Sequence, residues 1–205
     1  MGLPFVHLIT DGALAPDLRA HLDEVLRGVG PGRVAVHLRE KSLGGGALLA
    51  LAVALAEVCH ARGQLLLVNG RLDVALACGA DGVHLPANAV GPAEARRLLG
   101  PAALVGVSCH SAGEVERARA EGASYATFGP VWETPSKARF GAPVGLARLR
   151  EASRIGLPLV ALGGVEASRA PLAVAAGAAG VAVIRAWLTG PDPVASVRAL
   201  LACAP

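Results

Sequence analysis

A turn pattern that occurs three times constrains the fold of this chain more than any other feature. The three copies are Gly79-Ala80-Asp81-Gly82-Val83, Gly122-Ala123-Ser124-Tyr125-Ala126 and Gly177-Ala178-Ala179-Gly180-Val181. In each copy a glycine ends a helical stretch, and a small residue then leads into the next strand-like run. Repeated helix-to-strand turns are typical of folds in which helices alternate with parallel strands.

Apolar runs and helical stretches alternate along the whole chain, as this pattern requires. Short runs predict strands at 5–10, 34–41, 65–68, 82–85, 105–110, 124–129, 158–162 and 180–184. Longer stretches predict helices at 17–27, 47–62, 71–78, 92–99, 111–121, 144–154, 166–176 and 193–202. This alternation predicts an α/β protein with a single (β/α)8 TIM barrel as its one domain, residues 1–205. The alternative is an open doubly wound sheet, but no G-x-G-x-x-G motif follows the first run.

Composition limits the classes of function. The chain is 53% hydrophobic but only 3% aromatic, so Ala, Val and Leu must form most of the core. Its longest apolar stretches, 47–56 and 170–184, are shorter than the ~20 residues that span a bilayer, so no membrane association is predicted. A net charge of +3 without a basic run argues against nucleic acid as a partner. Four scattered cysteines without a secretion signal predict reduced thiols and a cytoplasmic protein.

His110 is the candidate for proton transfer. It ends a predicted strand in which alternation places Gly106, Ser108 and His110 on one face, pointing towards the barrel interior. The carboxyl ends of barrel strands are where reactive groups collect, and Thr134, Ser136 and Lys137 are expected to open onto the same end. A histidine with an ordinary pKa near 6.5 can take and return a proton at neutral pH.

The other strand histidines are expected to have a structural role. His7, His37 and His84 lie in predicted strands, and no two of them have the spacing of metal ligands. We therefore predict that they are core or rim residues, and we predict no metal site and no cofactor.

Two segments are candidates for anion binding. Gly163-Gly164 follows the seventh strand and Ile184-Arg185 follows the eighth, which is the phosphate-binding position of many (β/α)8 barrels. Arg39 and Lys41 share one face at the end of the second strand and could hold a second anion. The alternative for this pair is a solvated rim, with the charges compensated by Glu40.

Several segments resemble the thiamine phosphate synthase superfamily, in the same order and over nearly the whole chain. They are Leu8-Ile9-Thr10-Asp11, His37-Leu38-Arg39-Glu40-Lys41, Val68-Asn69-Gly70-Arg71, Gly79 to Leu85, Gly129 to Lys137 and Leu162-Gly163-Gly164-Val165. The resemblance implies a barrel that binds a thiazole phosphate as its small-molecule substrate.

The sequence departs from the synthases of that superfamily at three positions. The synthases carry carboxylates that hold magnesium with the pyrimidine diphosphate, whereas this chain has Gly70 and Ala89 there, and His37 replaces a glutamine. Ser108-Cys109-His110-Ser111 is similar instead to the thiazole tautomerase branch. That similarity implies an isomerase in which His110 moves the proton that aromatises a carboxylated dihydrothiazole phosphate.

Two alternatives remain open. One is a thiamine phosphate synthase, a transferase that couples hydroxymethylpyrimidine diphosphate with thiazole phosphate in the presence of magnesium. The other is a non-catalytic regulator that binds thiazole phosphate or thiamine phosphate. Magnesium dependence separates the two enzymes, and the oligomeric state is left open.

Overall fold

Eight parallel strands form a closed barrel, in chain order, in the computed structural model, which describes residues 2–15, 17–87, 89–134 and 142–205. The strands are β1 Val6–Ile9, β2 Val34–Leu38, β3 Leu65–Asn69, β4 Gly82–Leu85, β5 Leu104–Cys109, β6 Tyr125–Phe128, β7 Leu159–Leu162 and β8 Gly180–Val183. β1 pairs with both β2 and β8, which closes the ring. The prediction of a (β/α)8 barrel is confirmed.

Helices follow the strands on the outside of the barrel. Within the described residues they are α1 Leu18–Leu26, α2 Gly45–Ala61, α3 Leu72–Cys78, α4 Pro92–Leu99, α5 Ala112–Ala120, α6 Gly145–Ser153, α7 Ala170–Ala175, α8 Arg185–Leu188 and α9 Pro193–Leu201. None of these helices combines the length and the apolar character needed to cross a bilayer.

The short helix α8 was not predicted from the sequence. It follows β8 directly and buries Trp187, whose indole N–H donates to the carbonyl of Ile9 at 3.0 Å. The next helix begins only after Asp192, whose side chain accepts from the N–H of Ala195 at 2.8 Å and so caps α9. The last predicted helix is therefore preceded by a separate helical turn that anchors the chain against β1.

The three repeated turns lie at the amino ends of β4, β6 and β8, and they make the same connection. In each turn the third residue donates its backbone N–H to the preceding strand: Asp81 to Leu66, Ser124 to Val105 and Ala179 to Leu159, at 2.7–2.9 Å. The leading glycines have φ between +67° and +94°, which L side chains rarely adopt. The recurring sequence pattern thus builds the bottom of the barrel.

The interior of the barrel holds a polar cluster within an apolar layer. Seven apolar or aromatic residues line this layer: Ile9, Ala35, Leu65, Leu67, Tyr125, Val160 and Ala182. His7, His37 and His84 lie among them and expose 0%, 0% and 5% of their surface. Of the two predicted positions for these histidines, core or rim, the structure shows the core.

Gly106 makes room for the Tyr125 ring inside the barrel. A Cβ atom at position 106 would lie 2.1 Å from Cζ of Tyr125, so Gly106→Ala must displace a fully buried ring. We expect the free energy of unfolding to fall by about 1–3 kcal/mol, as for other overpacked cores. Urea unfolding measures this change. Gly113→Ala, on α5 with open space around it, is the matched control and should not destabilise the protein.

Candidate active site

The barrel mouth, which we define as the segments that follow the carboxyl ends of the eight strands, brings most of the predicted residues together. Arg39 and Lys41 follow β2, Ser108 lies near the end of β5, and His110 follows it. Thr134 follows β6, Gly163-Gly164 follows β7 and Ile184-Arg185 follows β8. Ser136 and Lys137 lie outside the described residues, so their predicted contacts with substrate stay predictions.

Glu40 does not neutralise the two cations beside it. Its carboxylate accepts from the Thr10 hydroxyl at 2.6 Å and from the backbone N–H of Gly12 at 2.9 and 3.0 Å. Across the described ranges, neither Arg39 nor Lys41 forms an ion pair. The alternative of a rim pair with Glu40 is therefore wrong, because that carboxylate ties the loop after β1 to the loop after β2.

His110 lies at the rim and not in the interior. It comes one residue after β5 ends, and it is exposed, so the expectation that it points inward is wrong. Its Nδ1 lies 2.5 Å from the carbonyl oxygen of Gly129, which can only accept, so Nδ1 carries the proton. Its backbone N–H donates to Glu114, whose own N–H is capped by Ser111 at 3.3 Å. With Nδ1 holding the hydrogen, Nε2 is the ring nitrogen that can act as an acceptor.

The buried His84 beneath the mouth contacts Ser108, and this role of His84 was not predicted from the sequence. Nε2 of His84 lies 2.9 Å from the Ser108 hydroxyl and 3.2 Å from the Thr127 hydroxyl. Burial, followed by the charges of His7 and Arg39, lowers the pKa of His84 to about 3, so it is neutral at physiological pH. The sequence offered a signal only for the neighbouring histidine: strand alternation places His37 on the same face of β2 as Arg39.

The glycine pair after β7 packs against the segment that follows β6. Gly163 and Gly164 have φ of +94° and +67°, and added Cβ atoms would lie 2.5 Å from Pro130 and 2.7 Å from Trp132. The Arg169 guanidinium donates to the Gly164 carbonyl at 2.8 Å and lies 5.6 Å from the Trp132 ring. The pair therefore needs glycine both for its backbone and for close packing. Because β7 pairs with β8, Ile184-Arg185 begins next to this turn.

The loops after β3 and β4 do not suit a magnesium ion. A Cβ atom added at Gly70 would lie 3.5 Å from the Pro86 ring, and neither Gly70 nor Ala89 carries a carboxylate. Asp73 is held by Arg71 in two hydrogen bonds of 2.6 and 2.9 Å, which lower its pKa to about 2. Asp81 lies at the opposite end of the barrel, where it accepts from the N–H of Leu66. No group of three or more metal-ligating side chains occurs in the described part of the chain.

These features define a (β/α)8-barrel protein whose mouth carries two cations, Arg39 and Lys41, that form no ion pair with any described residue. Residues 6–187 match the family model described as thiamine monophosphate synthase, and the chain belongs to that family. This membership places the protein among the enzymes of thiamine biosynthesis.

Individual relatives match almost the whole chain. Thiamine-phosphate synthase of Methanoculleus marisnigri is 43% identical over 95% of this chain and 92% of its own length. The thiamine biosynthesis bifunctional protein ThiM/ThiE of Symbiobacterium thermophilum is 46% identical over 96% of this chain and 40% of its own length. The solved structure of thiamine phosphate pyrophosphorylase from Pyrococcus furiosus covers 98% of this chain and 95% of its own, with a TM-score of 0.83 and 27% identity.

The comparisons overturn the prediction of a thiazole tautomerase. That isomerase assignment depended on two missing carboxylates and on the strand end at His110. The identity of 43% extends over 95% of the chain, to a protein named as a synthase. The substitutions at positions 70 and 89 change the chemistry of two loops, but they do not show to which branch of the superfamily the chain belongs. The proton-transfer role of His110 loses the support that it took from that branch.

Proposed function

We propose that this protein is a thiamine-phosphate synthase, a transferase that joins a pyrimidine diphosphate to a thiazole phosphate. The observation that carries the proposal is the 43% identity, over 95% of this chain, to a protein of that name. The site supports it, because two separate parts of the barrel mouth suit anions. Two anionic substrates require such an arrangement.

The reaction is a displacement at the methylene carbon of the pyrimidine. The bond from this carbon to a diphosphate oxygen breaks, and a bond from the same carbon to the thiazole nitrogen forms. The bonding electrons leave with the diphosphate, and the ring nitrogen becomes positively charged. The protein must therefore stabilise the leaving anion and hold the two rings in contact.

We assign the diphosphate to Arg39 and Lys41. Glu40 is engaged with Thr10 and Gly12, so both cations keep their charge for a ligand. Hydrogen bonds from a guanidinium to phosphate oxygens are short and strong, and they preserve orientation. Lys41 is exposed at the rim and can follow the leaving group outward.

We assign the phosphate of the thiazole to Gly163-Gly164 and the adjacent Ile184-Arg185 segment. Glycine allows the backbone N–H groups to approach a phosphate closely. Thr134, Ser136 and Lys137 are the further residues that we expect to contact substrate from the segment after β6. Ser108 lies between the two anion positions in the order of the strands around the barrel.

Magnesium held by carboxylates is what the resemblance to the synthases implies, and the residues present do not fit it. Gly70 and Ala89 have no side-chain oxygen, and Asp73 is paired with Arg71. We therefore assign the stabilisation of the leaving diphosphate to the side-chain cations Arg39 and Lys41.

Incubation of the purified protein with both substrates tests the proposal. We expect thiamine phosphate and diphosphate to form in equal amounts, as followed by 31P NMR, with no product when either substrate is omitted. The assay is run over a magnesium titration that starts from chelated buffer, so that a metal requirement does not hide activity. Binding of both substrates without any product would overturn the proposal in favour of a non-catalytic binding protein.

A further inference from the structure

A chain of buried polar groups crosses the barrel interior from its bottom to Ser108. Its members are His7, His37, Tyr125 and His84, and we refer to them as the interior chain. His7 contacts the Pro4 carbonyl at 3.0 Å and His37 at 2.8 Å. The Tyr125 hydroxyl lies 3.5 Å from His37 and 3.2 Å from His84. All four members are at most 5% exposed.

The positions of the protons at the lower end follow from the Pro4 carbonyl. A carbonyl oxygen only accepts, so Nε2 of His7 must carry a hydrogen. Burial lowers the pKa of His7 to about 4, so the ring is neutral and its Nδ1 is an acceptor. Nε2 of His37 must then donate to it at 2.8 Å. Nδ1 of His37 is left without a proton, and it has no partner among the described residues.

The direction at the upper end follows from the Tyr125 hydroxyl. It cannot donate to Nε2 of His37, because that nitrogen already carries a hydrogen. Its remaining acceptor is Nδ1 of His84, at 3.2 Å. The opposite orientation would leave a fully buried O–H without an acceptor, at a cost of about 1–3 kcal/mol. His84 therefore has its proton on Nε2, from which it donates to Ser108 and Thr127.

We propose that Tyr125 and His84 are positioning residues that fix the Ser108 hydroxyl as a hydrogen-bond donor towards an anionic oxygen in the barrel mouth. The Ser108 oxygen accepts the hydrogen bond from Nε2–H of His84. The hydroxyl hydrogen of Ser108 is therefore available to donate into the barrel mouth. Ser108 is partly exposed, whereas Thr127 is only 3% exposed and stays in the interior. The charge of Arg39 is one of the causes that lower the pKa of His84, after burial and the charge of His7.

The inference rests on the proposed function only for the identity of the anion. Its first test measures the tautomer of His84 and does not require catalytic activity. Long-range 1H–15N NMR of the protein labelled at histidine reports which ring nitrogen carries the proton. We assign the signals of residue 84 by their loss in His84→Gln. In the wild type we expect protonated Nε2, and in Tyr125→Phe a mixture of the two tautomers. Protonated Nδ1 in the wild type would reverse the direction and overturn the proposal.

Binding of inorganic pyrophosphate, followed by calorimetry, tests the consequence for Ser108. His84→Gln keeps an N–H donor near the position of Nε2, so we expect its affinity to stay within about twofold. The shorter His84→Asn cannot reach Ser108, and we expect a loss of roughly 2- to 12-fold, the range of one net hydrogen bond.

A double-mutant cycle separates positioning from a general structural effect. Ser108→Ala should lose as much affinity as His84→Asn, and the double variant should lose no more than either alone. Losses that add would mean that His84 acts independently of Ser108, which would contradict the proposal. If the NMR and binding results hold but no thiamine phosphate forms, the proposed function fails and the positioning role stands.

Discussion

Replacing Arg39 with alanine is expected to lower kcat/KM for thiamine phosphate formation by roughly 10- to 150-fold. This range corresponds to the ~1.5–3 kcal/mol that a hydrogen bond to a charged group contributes. The effect should be in this range because Glu40 does not compensate Arg39, and because the proposed reaction places new negative charge on the leaving diphosphate. Steady-state kinetics give the ratio, and calorimetry with inorganic pyrophosphate gives the part that is ground-state binding.

Arg33 provides the matched control for this experiment. It is the same residue type and directly precedes β2, the strand that Arg39 follows, at the opposite end of the barrel. Its guanidinium is exposed and donates to the Leu201 carbonyl at 3.2 Å. Arg33→Ala should leave kcat/KM within about twofold. Equal losses in both variants would indicate a general effect on the fold, and an unchanged Arg39→Ala would move the diphosphate elsewhere.

Acidification below pH ~6.5 is expected to destabilise the protein steeply, because three histidines are buried as neutral groups. Burial lowers the pKa of His7 to about 4 and that of His84 to about 3, and it lowers the pKa of His37 well below its usual range. In the unfolded chain all three have ordinary pKa values near 6.5. Between pH 6.5 and about 4 the unfolded chain therefore binds protons that the folded barrel excludes.

The sign of this effect follows from proton linkage. Because the unfolded state binds more protons in this window, the free energy of unfolding rises with pH and is largest above pH ~6.5. Each histidine contributes up to ~1.4 kcal/mol per pH unit, so the three together contribute roughly 4. The lowered pKa values of Asp23 and Asp73 act in the same direction, but only below their ordinary value of 3.8.

Urea unfolding at fixed ionic strength, repeated from pH 8 to pH 5, measures the slope. His84→Gln removes one of the three titrating groups and should reduce the slope by about a third. It keeps the polar contact with Ser108, so the comparison isolates the proton. A free energy of unfolding that stays constant over this range would show that the three histidines become protonated in the folded state.

The alternation of the elements and the three repeated turns were sufficient to predict the barrel. The repeated turns reflect local backbone geometry, such as the positive φ of Gly79. Local turns between alternating helices and strands are sufficient to specify a βαβ topology. The interior chain was not predictable in the same way. His7, His37, Tyr125 and His84 lie on four different strands, and their contacts depend on the shear of the closed barrel. The sequence predicted core or rim positions for the three histidines, but alternation within single strands does not show which side chains meet across the barrel.

Residues just beyond a strand end were predicted less well. Alternation was extended to His110, but β5 ends at Cys109 and the rule no longer applies at the next residue. The function was misassigned for a related reason. Gly70 and Ala89 were treated as identifying a branch of the family, whereas they describe only the cation-binding capacity of two loops. Similarity over nearly the whole chain carries more information about the reaction than two loop positions do.

The three repeated turns place backbone hydrogen bonds that stabilise the barrel at the end opposite the candidate active site. Each turn connects its own strand to the preceding one through the backbone, at the end of the barrel opposite the mouth. These connections need no side chain from the mouth. A mutation at an exposed mouth position such as Ala89 changes the chemistry without loosening the ring. Such an architecture allows one barrel to acquire new reactions through its loops at little risk to folding.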